Sequence, residues 1–372
     1  MSTPFAPSPS FGRDTAVRQL LRPLERFLDR DGVTEVVVNR PGEVLYEQDA
    51  AWRVEHINDL PFERLMGLVR AIATFADQDI GAKTPILSAI LPDGQRIQIL
   101  VPPVVPAGTV SLSIRLPASS IRSFEAYQED GAFDRFVWPQ PRALLKVRED
   151  LEGEDLRLVD ALAGRDLAGF LKGAVAARRN IAVVGDTGSG KTTLMKTLCQ
   201  HIPLSDRLIT IEDVRELALP DHRNTVHLLF SKGGQGVAEV TPADLISASM
   251  RMRPDRVLLA ELRGGEAFDF LKLLTTGHSG SITSYHAESC TLALERFVLM
   301  AKEHPDAGIF DAEALKRLVR LTIDVIIHVR AEVTTGPDGQ SVKRRFVSEV
   351  RFDPVGRRRD RFEDHIVQRG AA

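Results

Sequence analysis

Gly185-Asp186-Thr187-Gly188-Ser189-Gly190-Lys191-Thr192 is the stretch that decides the fold of this chain. It has the form G-x-x-x-x-G-K-[ST]. The run Asn180-Ile-Ala-Val-Val184 leads straight into it and is apolar enough for a buried strand; Thr193-Leu-Met-Lys-Thr-Leu198 behind it suits a helix. Strand, glycine loop and helix in that order are the context in which the pattern cradles phosphate. The glycines let successive backbone N–H groups curl around phosphate oxygens without Cβ clashes, at the positive end of a helix dipole. Lys191 is placed to reach β- and γ-phosphates, and the hydroxyl of Thr192 to meet Mg²⁺. Residues Gly185 to Thr193 are therefore expected to bind a nucleotide, with ATP and Mg²⁺ as the ligands.

Outward from the loop, short apolar strands alternate with helices from Asp166 onward. The strand segments are Asn180–Val184, Leu208–Ile211, Val226–Phe230, Val257–Leu259 and Ser281–Ser284. That alternation predicts an α/β unit built on a parallel sheet with both faces covered. Two of the strands end in carboxylates. Val257-Leu-Leu-Ala-Glu261 places Glu261 at the carboxyl edge of the sheet, beside the phosphate loop, where phosphoryl transfer needs an acid near the metal and the attacking water. Leu208-Ile-Thr-Ile-Glu212-Asp213 repeats the arrangement. A third strand ends in His286, and His278 precedes it; both are candidates for the nucleotide site. Neither has the spacing of a zinc motif, so no structural metal is expected.

The first third reads differently. Thr15–Leu28 and Phe62–Phe75 have helical spacing, while Val33–Val38, Glu43–Glu47, Gln95–Leu100 and Thr109–Leu116 read as strands joined by hairpin turns. This predicts a smaller α+β domain. The division expected is a mobile arm over 1–14, an N-terminal domain over 15–138, a charged linker over 139–165, a nucleotide-binding domain over 166–355 and a charged tail over 356–372. Within the C-terminal part, Lys343-Arg-Arg345 and Arg357-Arg-Arg-Asp-Arg361 read either as contacts to anionic lipid or as solvated segments neutralised by Asp360, Glu363 and Asp364.

At 372 residues, two domains are the prior. Hydrophobic content of 43% and charged content of 27% are those of a soluble globular protein, and a net charge of −3 argues against bulk electrostatic binding to nucleic acid. Cys199 and Cys290 stand far apart, which excludes a zinc ribbon and fits a reducing compartment. The N-terminus lacks the basic and apolar regions of a signal peptide. The chain is expected to be cytosolic or peripheral to a membrane.

Four segments, taken together, resemble the secretion traffic ATPases. They are Gly185–Thr192, Ile211-Glu-Asp-Val-Arg-Glu-Leu217, Arg253-Pro-Asp-Arg-Val-Leu-Leu-Ala-Glu-Leu-Arg263-Gly264 and Thr276-Gly-His-Ser-Gly-Ser-Ile-Thr-Ser-Tyr-His286. They look like that family's phosphate loop, acidic box, atypical second nucleotide motif and histidine box, in the same order. Gly32–Gly42, Leu91–Gln98 and Ser113-Ile-Arg115 are similar to the type IV secretion and conjugation branch. The resemblance implies a RecA-like C-terminal domain, ATP enclosed between two domains, and a homohexameric ring on the cytoplasmic face of a bacterial inner membrane. It also implies inner-membrane secretion-channel proteins as partners, and secreted protein or conjugative DNA machinery engaged indirectly. Carried over by residue, Lys191 and Thr192 hold phosphate and Mg²⁺, and Glu261 polarises the water. Glu212 assists at the metal or water, His278 and His286 contact the γ-phosphate side, and Arg96 and Arg115 bring charge from the N-terminal domain.

Rival readings are a pilus retraction or assembly motor, a nucleic-acid translocase on the same core, and a non-hydrolysing nucleotide switch. Type II assembly ATPases usually carry a tetracysteine zinc module, which two isolated cysteines exclude. A translocase needs a basic channel with stacking aromatics, and aromatics are only 6% with no such cluster. The presence of Lys191, Thr192 and Glu261 argues against a switch without turnover.

Overall fold

The computed structural model describes residues 12–48, 51–116, 121–139, 151, 153–230, 240–335 and 341–356. The expected arm over 1–14 and the tail over 356–372 lie almost wholly outside the described residues, as does Arg357–Arg361. The chain divides into two compact units, one of Met1–Ser119, Ser231–Glu239 and Thr335–Val342 and one of Ser120–Phe230, Val240–Thr334 and Lys343–Ala372.

The first unit holds an antiparallel sheet of six strands: β1 (Val33–Arg40), β2 (Glu43–Gln48), β3 (Ala51–His56), β4 (Ile86–Ile90), β5 (Arg96–Leu100) and β6 (Ser111–Arg115). Their order is β3-β2-β1-β6-β5-β4. Helices α1 (Thr15–Leu28) and α2 (Phe62–Phe75) bury Val17, Leu21, Leu24 and Phe27, and Leu65, Leu68, Val69 and Ile72. Those positions recur every three or four residues, so each helix presents one apolar stripe to the core. Alternate strand residues Val36, Val38, Val44, Ile97, Ile99, Leu112 and Ile114 complete that core. The register pairs Arg96 with Arg115, and Arg115 with Glu35. The two arginines are therefore cross-strand partners on the face away from the core. β3 and β4 escape a reading by apolar alternation because they are the sheet edges, and Trp52, Val54 and Ile86 are half exposed.

In the second unit seven strands lie in the order β13-β12-β7-β11-β10-β8-β9. They are β7 (Ile181–Gly185), β8 (Leu208–Glu212), β9 (Thr225–Leu229), β10 (Arg256–Leu259), β11 (Ile282–Tyr285), β12 (Val325–Thr335) and β13 (Ser341–Phe352). The paired strands from β12 through β9 run parallel. β7, β8, β10 and β11 are buried along their whole length; β7 reads as a continuous apolar run for that reason, while the others also bury polar groups such as Thr210, Arg256 and Thr283. Alternate residues serve opposite faces: Ile181 and Val183 join one core, Ala182 and Val184 the other. Helices α4 (Gly153–Ala163), α5 (Leu167–Ala176) and α6 (Lys191–Cys199) cover the first face. Helices α8 (Glu266–Thr275), α9 (Cys290–Lys302) and α10 (Ala312–Thr322) cover the second. Two shorter helices, α3 (Phe124–Glu129) and α7 (Pro242–Met250), flank them. The expected fold class, a RecA-like α/β unit preceded by a smaller α+β unit, is the one observed.

Within the expected linker over 139–165, residues 140–150 and 152 lie outside the described residues, and the described part is packed. α4 lies inside that span, and its Leu158, Val159 and Leu162 are in the core of the second unit. Three apolar positions among so many charges are enough for one buried stripe, although they leave the segment polar on average.

The amino edge of the parallel sheet is tied by buried polar groups. Asn180 accepts from the N–H groups of Gly280 and Ser281 at 2.9 and 3.1 Å and donates to the Thr322 carbonyl at 2.8 Å. Arg256 donates to Asp206 at 2.7 Å and to the Val175 carbonyl at 2.8 Å. These bonds fix the strand starts and thereby the opposite, carboxyl edge.

Candidate nucleotide site

β7 ends in Gly185, and the phosphate loop runs from there to the first residue of α6. Gly188 and Gly190 have φ values of +73° and +100°, a conformation that side chains rarely adopt. A Cβ on Gly185 would meet the Val329 carbonyl oxygen at 2.2 Å and Ser189 Oγ at 2.8 Å. Asp186 and Thr187 stand exposed at the loop tip, while Thr192 and Thr193 occupy the first turn of α6, partly exposed. Ser189 Oγ is buried and has no hydrogen-bond partner among the described residues. A glycine cradle at a helix start and a buried hydroxyl in need of a partner fit a phosphate group. The donor set nearby, the Thr192 hydroxyl and the Glu261 carboxylate, consists of hard oxygens that fit Mg²⁺.

Lys191 is buried, and its Nζ donates to the carbonyls of Gly185 and Asp186 at 2.8 and 2.9 Å. It also lies 3.4 Å from Nδ1 of His286. His286 Nε2 lies 3.1 Å from Glu261 Oε1. Glu261 Oε2 accepts from Arg263 Nε at 2.5 Å, and Arg263 Nη1 reaches Asp213 at 3.1 Å. A continuous chain of charged and polar groups, Lys191–His286–Glu261–Arg263–Asp213, thus lines the carboxyl edge of β7, β11, β10 and β8. Burial, and then the positive charge of Lys191, lower the His286 pKa; Glu261 opposes them. These influences favour the neutral ring, for which the partners select the tautomer. Nε2–H donates to Glu261, and the Nδ1 lone pair faces the Lys191 ammonium.

Two expected site residues stand outside this chain of contacts. Glu212 is buried and committed to its own loop: Oε2 accepts from the N–H groups of Glu216 and Leu217 at 2.8 Å each. Its Oε1 accepts from Thr210 Oγ1 at 2.8 Å. A carboxylate spent on three donors is a brace for residues 213–217, and Asp213 joins the chain of charges instead. His278 precedes β11, at the amino edge, with its carbonyl accepting from Ser281 Oγ at 2.9 Å. Four strand residues at about 3.3 Å each separate that edge from the loop, so His278 and His286 do not meet within one chain. Arg96 and Arg115 belong to the first unit. Arg263 and Asp213 were quoted in the sequence motifs without a role; their signal was position directly after strand ends.

The basic run Lys343–Arg345, read from sequence as a tail segment, is part of β13. Arg345 Nε donates to the Gly188 carbonyl at 3.0 Å, so this strand borders the phosphate loop and its basic residues are not in a solvated tail.

Residues 148–348 match the family described as Type II/IV secretion system protein. The type IV secretion system protein VirB11 of Brucella suis biovar 1 (strain 1330) is 45% identical over 348 residues, spanning 93% of this chain and 92% of that protein. This chain belongs to the type II/IV secretion system protein family. PtlH, a type IV secretion system protein of Bordetella pertussis, is 40% identical over 343 residues, spanning 90% of this chain and 95% of its own length. The crystal structure of the VirB11 ATPase from the Brucella suis type IV secretion system in complex with sulphate is 44% identical, covers 94% of this chain and 98% of its own, and has a TM-score of 0.50. The pilus retraction motor PilT with bound ADP has a TM-score of 0.55 at 17% identity and shares the fold. Among the described residues no helix is long and apolar enough to cross a membrane, and no cluster of three or more His, Cys, Asp or Glu residues is disposed to hold a metal.

Proposed function

We propose that this chain is a Mg²⁺-dependent ATP hydrolase of a type IV secretion or conjugation system, working as a homohexameric ring on the cytoplasmic face of the inner membrane. Its partners would be inner-membrane channel proteins, with turnover driving pilus assembly or substrate export. The observation that carries the enzymatic reading is the alignment of Lys191, His286, Glu261, Arg263 and Asp213 along one sheet edge beside a glycine phosphate loop. The secretion role rests on identity of 45% along nearly the whole chain to a type IV secretion system protein.

In this reading Lys191 exchanges the carbonyls of Gly185 and Asp186 for the β- and γ-phosphates. Thr192 and, through water, Glu261 would hold Mg²⁺, whose charge offsets that of the phosphate oxygens. Glu261 is clamped from two sides, by His286 and Arg263, and it orients the water that attacks the γ-phosphate. Arg96 and Arg115 fit an anion for a separate reason. They are direct cross-strand neighbours on one face of the sheet, so both charges would meet one phosphate group together.

The test is steady-state ATP hydrolysis with nucleotide binding measured alongside. Lys191→Ala should lose both binding and turnover, while Glu261→Gln keeps ATP bound and loses turnover. Native rates in purified Lys191→Ala would overturn the site assignment. Light scattering with an ATP analogue should give the mass of six chains; a strict monomer with and without nucleotide would remove the ring.

A further inference from the structure

β12 pairs with β7 in parallel, with Val329 opposite Gly185, and then runs on to Thr335. It therefore continues past the point where β7 gives way to the phosphate loop. β13 is the next strand in the sheet and lies at its edge. Side chains alternate along a strand, so Lys343 and Arg345 point to one face and Arg344 to the other. The face shared by Lys343 and Arg345 is the one over the loop. Lys343 Nζ lies 3.3 Å from the position that a Cβ on Gly188 would occupy, and Arg345 Cδ lies 3.2 Å from the corresponding position at Gly190. Arg345 Nε donates to the Gly188 carbonyl at 3.0 Å. Two glycines thus serve two ends: their positive φ shapes the loop, and their lack of a side chain admits cations from the edge strand.

We propose that Lys343 and Arg345 form a second cationic wall of the nucleotide site, flanking the phosphate loop on the edge-strand side with their charged ends reaching past it toward the phosphate chain. This rests on the reading of the loop as an ATP site. Arg345 holds the Gly188 carbonyl turned toward the edge strand, which leaves the loop's N–H groups facing the anion and keeps a carbonyl dipole away from it. Lys343 supplies a point charge at mid-loop, and among the described residues the Arg345 guanidinium retains donors beyond the one used on Gly188. Gly185–Thr192 itself contains one carboxylate, Asp186, and one ammonium, Lys191. The two added cations shift the local balance toward a polyanion.

The experiment compares Lys343→Gln, Arg345→Gln, Arg345→Lys, Arg344→Gln and Lys191→Ala in the full chain. ADP and ATP-analogue affinities are read by fluorescence titration at two salt concentrations, with KM and kcat for ATP and with melting temperature. Charge-assisted contacts of this kind predict about tenfold weaker ADP binding for Lys343→Gln and Arg345→Gln. KM should rise in parallel, with kcat changed less than about threefold and a weaker dependence of affinity on salt. Arg345→Lys should restore the charge but not the planar donor, giving intermediate affinity, and Arg344→Gln should bind as the native chain does. If Arg345→Gln does not fold, Lys343→Gln alone decides, because it leaves the bond from Arg345 to the Gly188 carbonyl in place. Native affinity in Lys343→Gln and Arg345→Gln, with binding abolished in Lys191→Ala, would overturn the wall and leave the ATP site standing. Equal losses in Arg344→Gln would reduce the effect to bulk charge and also overturn it. Unimpaired binding in Lys191→Ala would bring down the site reading itself.

Discussion

Arg263 is where the geometry makes its sharpest claim. Its guanidinium links Glu261 to Asp213, while its backbone N–H is separately held by Glu266 at 2.7 Å. Arg263→Gln should therefore leave the main chain in place and release one of the two clamps on Glu261. The stability cost is modest, because the Arg263 side chain is 34% exposed; two partly solvated ion pairs are together worth about 1–2 kcal/mol. In a unit of this size that lowers the melting temperature by only a few degrees. The catalytic cost is larger. Displacing a positioned group by about 1 Å costs on the order of 10² in rate, or about 2.7 kcal/mol of barrier. The expected result is kcat down about a hundredfold with KM for ATP within about threefold of native. Arg263→Lys, which reaches one carboxylate but not both, should fall between the two. The assay is steady-state phosphate release beside a thermal melt of the same preparation. A native kcat in Arg263→Gln, or a rate that falls only in proportion to the folded fraction, would refute the clamp.

Because burial and Lys191 hold the His286 pKa below its ordinary 6.5, the acid limb of kcat/KM should lie below pH 6.5, and His286→Asn should abolish it. The same shift makes the unfolded chain take up that proton first as pH falls, so the stability contributed by neutral His286 is complete above about 6.5 and drains away below it; an acid limb at or above 6.5 would contradict this. Glu212→Ala should cost about 2–4 kcal/mol of stability, since the N–H groups of Glu216 and Leu217 lose their acceptor. Its half-saturating Mg²⁺ concentration should stay native, whereas a shifted Mg²⁺ requirement with native stability would return Glu212 to the metal. Replacing Arg96 and Arg115 together by alanine should change the stability of the first unit by no more than about 1 kcal/mol, because the like-charge pairing of the two arginines and the opposite-charge pairing of Arg115 with Glu35 are lost together. The same double variant should lower ATP turnover at least tenfold, and an unchanged rate would leave both arginines without a role at the nucleotide.

Much of this was legible because it is local. A glycine loop between an apolar run and a helix needs only contiguous residues, so Gly185–Thr192 and the strand leading into it could be read directly. β7 announced itself as an unbroken apolar run and β8 and β10 as largely apolar ones, and α1 and α2 by their spacing. Glu261 and Glu212 show where such reading ends. Each closes an apolar strand, and nothing in the one-dimensional pattern separates them. Their difference lies in the chain that follows: residues 216 and 217 fold back with their N–H groups onto Glu212, while Glu261 meets His286 from the neighbouring strand and Arg263. His278 and His286 look like a pair on paper, yet a strand of four residues puts them at opposite edges of the sheet.

The basic run Lys343–Arg345 carries the same lesson further. Its charge is plain in the sequence, but its place beside the phosphate loop depends on β12 pairing with β7 and β13 lying beyond it, more than a hundred residues along the chain. Local composition therefore determined the nucleotide loop, the fold class and the list of charged candidates. Strand order and register, set by packing two apolar faces of one sheet, decided which of those charges share a site, because only a long-range pairing brings side chains from distant segments within hydrogen-bond reach.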